Sequence, residues 1–209
     1  MRMYKQKRSI FGHGTFVRRE YVKHSDIDIT VIVYTNKDIP VIDAFCRSYK
    51  QLSGGACLSA KARSLEELKT GALAVKNKPG PKKLIRLLKT YELIWGKPLI
   101  YDELISPSKP INDLKGLITF ILSHENEKRN IVDLAKLYCW VIWFDNEYRG
   151  IKQPFSYQAI KKQYPPQSLQ YQAVLVWETS GEYVPKDFEQ KVFADLRKQM
   201  VELSEETSR

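Results

Sequence analysis

The chain has 209 residues, of which 43% are hydrophobic and 28% charged. That balance is ordinary for a folded globular protein and excludes a chain disordered throughout. The net charge of +10 lies entirely in the first half: residues 1–105 carry 20 Lys and Arg against 10 Asp and Glu, whereas residues 106–209 carry 14 of each.

Such asymmetry fits an anionic ligand on the N-terminal half, whether a nucleotide, its metal complex or a nucleic-acid backbone; a solvated lysine-rich surface is the plainer alternative. No stretch approaches the roughly 18 uncharged apolar residues that a membrane span needs. The opening Met-Arg-Met-Tyr-Lys-Gln-Lys-Arg also lacks the apolar core of a signal peptide. A cytoplasmic protein without a membrane partner is therefore expected. Cys46, Cys57 and Cys139 are odd in number and widely spaced, each flanked by apolar or small residues, as suits buried free thiols.

In chain order, residues 8–14 read as a short strand ending at Gly12 and Gly14, where the backbone can turn sharply and present amides to a ligand. Residues 15–25, polar and aromatic with Arg18 and Arg19, read as a loop or short helix. Ile27 to Thr35 is rich in β-branched residues and gives the strongest strand signal. Apolar residues at 41, 42, 45 and 49 mark a helix, broken by Gly54-Gly55, and residues 56–63 form a third strand. Ser64-Leu65-Glu66-Glu67 is a capping-box pattern, with Ser64 capping a helix start and Glu67 bonding back to it. After a Gly-, Pro- and Lys-rich loop over 76–83, the apolar positions 84, 87, 88, 91, 94 and 95 predict a helix stopped by Gly96-Lys97-Pro98. Leu99-Ile100-Tyr101 reads as one more short strand.

Ser106-Pro107-Ser108-Lys109-Pro110 disfavours helix and marks a linker, dividing the chain into residues 1–105 and 106–209. The second half reads as all helical. Leu114, Leu117, Ile118, Ile121 and Leu122 share one helix face. Ile131, Leu134, Ala135, Tyr138, Val141 and Ile142 share another, on a longer helix ending before Gly150. Further helices are expected over 157–164, 169–179 and 188–203. The predicted class is α+β: a small mixed sheet flanked by helices, followed by a C-terminal helical bundle.

The chemistry concentrates between Phe11 and Ile32. Asp26 and Asp28, one residue apart leading into a strand, point to the same face about 7 Å from each other, while Ile27 and Ile29 point into a core. Two such acids form a hard oxygen site for a divalent cation such as Mg²⁺. Beside a glycine turn that can cradle phosphates, they suit nucleotidyl transfer, in which one or two metal ions bridge triphosphate oxygens and offset charge on the leaving pyrophosphate. Backbone amides at Gly14 and the Thr15 hydroxyl would hold phosphates, with Arg18 adding a charge-assisted contact.

Gly14-Thr15, ten residues, then Asp26-Ile27-Asp28-Ile29 resembles the signature of the DNA polymerase β-like nucleotidyltransferase superfamily. Gly14-Thr15-x-x-Arg18-x-Glu20 and Ser25-Asp26-Ile27-Asp28 are similar to the minimal and the aminoglycoside nucleotidyltransferases, with Thr15 in place of the usual serine. Residues 91–98 look like the segment that closes many such domains. Residues 127–131, the aromatic helix after them and Pro165-Pro166 resemble the helical domain of streptomycin/spectinomycin adenylyltransferases. The resemblance implies Asp26 and Asp28 as catalytic metal ligands, and Gly14, Thr15, Arg18 and Ser25 as the nucleotide site. It also implies Mg²⁺ as cofactor and a nucleoside triphosphate, ATP foremost, as substrate.

The superfamily often carries a third acid on the next long strand, yet residues 56–63 hold none. Glu66, Glu67, Glu125 and Glu127 are the candidate general bases; the capping-box role for the first two, and a solvated helix for the others, are the plainer readings. A helix usual before the first strand is also missing, since seven residues precede Arg8. His13 reads as a phosphate contact or an exposed turn residue, His24 likewise, and His124 as a surface residue. Tyr138, Trp140, Trp143 and Phe144 read as bundle core before any stacking platform.

Three functions follow. The first is a Mg²⁺-dependent nucleotidyltransferase acting on a small-molecule acceptor hydroxyl, aminoglycoside-like by architecture, although a first half of net +10 repels a polycation unless the cleft is acidic. The second keeps the chemistry and modifies RNA or a protein side chain, as in toxin–antitoxin pairs. The third is a nucleotide- or nucleic-acid-binding pseudoenzyme. Self-association is compatible with all three.

Overall fold

The computed structural model describes residues 7–20, 27–52, 58–73, 79–128 and 130–206. The chain divides into two compact units, residues 1–108 and 109–209. The class is the α+β expected from the sequence: a mixed four-stranded sheet with helices in the first unit and helices alone in the second.

In the first unit, β1 (Lys7–His13) runs into a one-turn helix α1 (Gly14–Val17), and the chain returns as β2 (Ile27–Val33). Helix α2 (Ile39–Leu52) crosses over to β3 (Leu58–Ser64); α3 (Leu65–Thr70), α4 (Pro81–Leu88) and β4 (Glu92–Gly96) follow. The strand order is β3-β2-β1-β4, with β2 parallel to β3 and antiparallel to β1, and β4 antiparallel to β1. The β-branched run Ile27–Val33 thus occupies an inner strand, paired on both sides, where stiff branched side chains pack best.

Alternation along β2 divides the sheet into two faces. Val31 and Val33 pack with Ile39, Ile42, Cys46 and Ala62 beneath α2, with Ile29 partly buried against them. Ile32, on the other face, packs with Phe11, Leu68, Leu84, Ile85, Leu88 and Leu99 under α3, α4 and the chain after β4. Each such fully buried Leu or Ile contributes about 1.5–3 kcal/mol of transfer free energy. Cys46 and Cys139 are buried thiols outside any disulfide; Cys57 lies outside the described residues.

Two local expectations give way. The apolar spacing over 84–95 predicts one helix, but α4 ends at Leu88, where Leu87 O accepts from both Thr90 N and Thr90 Oγ1, and Glu92–Gly96 becomes a strand. Tyr91 and Leu93 then face the core at period two, while Ile94 and Trp95 remain exposed. Pairing with β1, a tertiary effect, overrides the local helical pattern. Leu99-Ile100-Tyr101 is not a strand: Leu99 is buried in extended chain and Tyr101–Glu103 form a 3₁₀ turn. Gly54-Gly55 and residues 76–78 of the lysine-rich loop lie outside the described residues, and Pro81, Lys82 and Lys83, expected in that loop, form the first turn of α4.

The second unit comprises α5 (Pro110–Ser123), α6 (Ile131–Tyr148), α7 (Tyr157–Gln163), α8 (Leu169–Glu178) and α9 (Phe188–Glu206). Pro110 starts α5, where its missing N–H is harmless. Asn130, Ser156 and Ser168 cap the next three helices through their side chains. Helix α6 packs against α5, α7, α8 and α9, and its apolar residues are buried around most of its circumference. Tyr138, Trp143 and Phe144 are core residues: Trp143 packs at an angle on Tyr157, which stacks on Trp177 with ring centroids 3.8 Å apart. Trp140, partly buried, meets Trp143 and Phe144 edge-on. No helix among the described residues is long and apolar enough to cross a membrane.

Candidate functional site

β1 and β2 pair with Phe11 opposite Thr30 and His13 opposite Asp28. These residues share the face that carries Ile32, so the polar side chains begin where the apolar cover of α3 and α4 stops. At the end of β1 the chain turns through Gly14, whose φ of +78° lies in the left-handed region open to glycine. A Cβ at this position would lie 2.6 Å from Asp28 Oδ2. The glycine therefore lets the turn close directly against the carboxylate of Asp28, a partly buried residue. That hard oxygen donor and the small cradle beside it fit a divalent cation or a phosphate group.

Of the sequence-predicted site residues, the structure brings Gly14, the backbone of Thr15, Arg18 and Asp28 to one corner. Arg18 follows α1; its N–H points to Gly14 O at 3.4 Å and its Nε lies 3.3 Å from Glu20 Oε2. The Arg18 charge is felt by both His13 and Tyr91, which puts it beside the same face. Ser25, Asp26 and His24 lie outside the described residues. Among the described residues there is no cluster of three or more His, Cys, Asp or Glu arranged for a metal ion.

Three residues that the motif did not single out complete this corner. The His13 ring stacks on Tyr91, with centroids 4.2 Å apart and planes within 15°, and its Nε2 lies 3.2 Å from Thr30 Oγ1. Burial lowers the His13 pKa to about 4; Asp28 opposes this shift, and Lys61 and Arg18 add to it. The imidazole is thus neutral near pH 7. Burial, and then the Asp28 carboxylate, push the Tyr91 phenol well above its ordinary range. Tyr91 also lines a cavity of about 320 Å³ together with Phe11, Lys89, Leu93 and Tyr101. The signal for Thr30 was present in the sequence, since it stands two residues from Asp28 on one strand; Tyr91 was hidden by the helical reading of its segment.

Three of the four candidate bases have other partners. Ser64 caps α3 by accepting from Glu67 N at 2.9 Å, as the capping pattern requires. The Glu67 carboxylate, however, does not turn back to its own cap. It is buried in a two-pronged pair with Arg63, whose Nε and Nη2 donate at 2.8 and 2.7 Å, and Arg63 Nη1 donates to Pro79 O at 2.7 Å. An arginine buried on the underside of α3 needs two acceptors more than the helix start needs a second cap. Glu66 accepts from Asn36 N at 2.9 Å. In the second unit, Glu125 pairs with Arg197, and Glu127 is exposed. His124 bonds Phe120 O and Ser123 beside its own helix end.

No model of a known protein family matches the chain, and no curated protein does. Among solved structures, the chain is similar to the crystal structure of a spectinomycin adenyltransferase from Enterococcus faecialis determined with ATP and spectinomycin. The TM-score is 0.51 with 16% sequence identity, over 95% of this chain and 92% of that one. At that identity the likeness shows the fold alone, a mixed-sheet unit followed by a helical one.

Proposed function

We propose that the chain is a nucleotidyltransferase that moves a nucleoside monophosphate from a triphosphate, ATP foremost, to an acceptor hydroxyl. The observation that carries this reading is the approach of Gly14 to Asp28, a glycine turn closed over a strand carboxylate at the spacing of the transferase signature. The fold shared with an adenyltransferase determined with ATP supports it.

In this reading Asp26 and Asp28 would hold Mg²⁺, which would supply positive charge for the departing pyrophosphate and the attacking hydroxyl. The residues of the chain bind and orient. The turn at Gly14-Thr15 offers backbone amides to the phosphates, Ser25 shapes the same pocket, and Arg18 adds positive charge. His13, neutral and wedged between Tyr91 and Thr30, holds the strand end on which Asp28 stands. The acceptor oxygen forms a bond to the α-phosphorus as the bond from that phosphorus to the pyrophosphate oxygen breaks, and the hydroxyl proton leaves to a base.

A second reading, nucleotide binding without turnover, is favoured by one observation. The residue opposite Asp28 on β3 is Ser59, not an acid, and Glu67 is already committed to Arg63. Transfer of label from α-³²P nucleoside triphosphates with Mg²⁺ onto spectinomycin-like aminocyclitols, RNA and protein separates the two. Label on one acceptor class, absent for Asp28→Asn, supports the transferase and names the acceptor. Nucleotide binding with no label on any acceptor supports the second reading.

A further inference from the structure

Lys61 stands on β3 directly opposite Thr30, as Ser59 stands opposite Asp28. Paired residues on neighbouring strands project from the same face of a sheet, so Lys61 belongs to the face of Asp28, Thr30 and His13. Strands about 4.8 Å apart and a two-residue step of about 7 Å put its Cα about 8 Å from that of Asp28, a span that a lysine side chain covers.

Two neighbouring arginines are engaged, Arg18 with Glu20 and Arg63 with Glu67. Lys61 is exposed and, among the described residues, makes no hydrogen bond or ion pair. The strand expected to bring a third acid to the site therefore brings a hydroxyl beside Asp28 and, one step further along, an ammonium with no side-chain partner among the described residues.

We propose that Lys61 binds the phosphate chain of the nucleotide held at this face, occupying the stretch of β3 where a third carboxylate was expected. The inference rests on the nucleotide reading above and adds the residue that recognises the polyphosphate. A compact ammonium on a flexible stem is a good point-charge partner for phosphate oxygens and cannot ligate a cation. Its presence makes this corner selective for an anionic ligand over a polycation.

Calorimetric titration tests it, with Mg²⁺ present throughout. Each of the four nucleoside triphosphates is titrated into the wild type, and the triphosphate bound most tightly, with its parent nucleoside, into Lys61→Ala, Lys61→Arg and Asp28→Asn. Lys61→Ala is expected to weaken the triphosphate about tenfold or more and to leave the nucleoside unchanged, while Lys61→Arg stays within about threefold of wild type. Because Lys61 is exposed, Lys61→Ala should melt within about 2 °C of wild type. Undiminished triphosphate binding by Lys61→Ala, with loss in Asp28→Asn, overturns the role of Lys61 and leaves the nucleotide reading standing. A loss that falls equally on the nucleoside also overturns it. A wild-type protein that binds none of the four triphosphates overturns both.

Discussion

One face of the sheet has two ends of opposite character. Around Ile32, Phe11, Leu68 and Leu88 it is dry, covered by α3 and α4; two to four residues along the same strands it carries Asp28, His13, Thr30 and Lys61. The strands do not change; what changes is the length of their cover. Period-two alternation decides which residues share a face, and the extent of the overlying helices decides where core stops and chemistry can start. Charged groups are handled differently at the two ends. At the dry end Arg63 and Glu67 are buried together and saturate each other. At the open end Lys61 makes no such pair among the described residues, and Asp28 is only partly buried.

The largest expected effect breaks the dry end. Glu67→Ala leaves the Arg63 guanidinium buried without its carboxylate and should destabilise by about 3–5 kcal/mol. In a unit of this size that is a fall in Tm of roughly 12 °C or more by thermal denaturation. The double change Arg63→Met with Glu67→Leu should recover most of the loss, because an apolar pair of similar volume removes both buried charges. A Glu67→Ala protein with wild-type Tm would show that the pair is not buried as described.

A smaller effect belongs to the boundary between the two ends. Gly14→Ala places a methyl 2.6 Å from Asp28 Oδ2 and holds a non-glycine residue at a φ of +78°. The cost should be about 1–3 kcal/mol of stability. Binding of Mg²⁺ and nucleoside triphosphate should suffer beyond that loss, measured below the melting transition where the variant is folded. Full binding with reduced Tm would separate the turn from the ligand site.

Much of this contrast was legible in the residues. The Ile27–Val33 strand, the faces of α5 and α6, and the alternation that separates Asp28 from Ile29 all follow from periodicity and β-branching, because those segments bury what their own pattern says they bury. Ser64 as a cap was legible for the same local reason. What escaped depended on partners far along the chain. Tyr91, Ile94 and Trp95 have helical spacing with α4, and only pairing with β1, some 80 residues earlier, turns Glu92–Gly96 into a strand. Glu67 looked like a capping partner because the sequence does not reveal that Arg63 is buried beneath it. Lys61 drew no notice because its meaning lies in register: it matters through standing opposite Thr30 on a parallel neighbour reached by way of α2.

The central claim, that the open end of this face holds a metal–nucleotide complex, is tested most directly by the melting temperature of the wild type and of Asp28→Asn with and without Mg²⁺ and each nucleoside triphosphate. Asp28 is only partly buried, so its isosteric replacement should leave the unliganded Tm nearly unchanged. The account predicts a rise of several degrees for the wild type with at least one triphosphate at about 100 times its dissociation constant, and loss of the Mg²⁺-dependent part in Asp28→Asn. An equal rise in both proteins, or none in either with all four triphosphates, would contradict it.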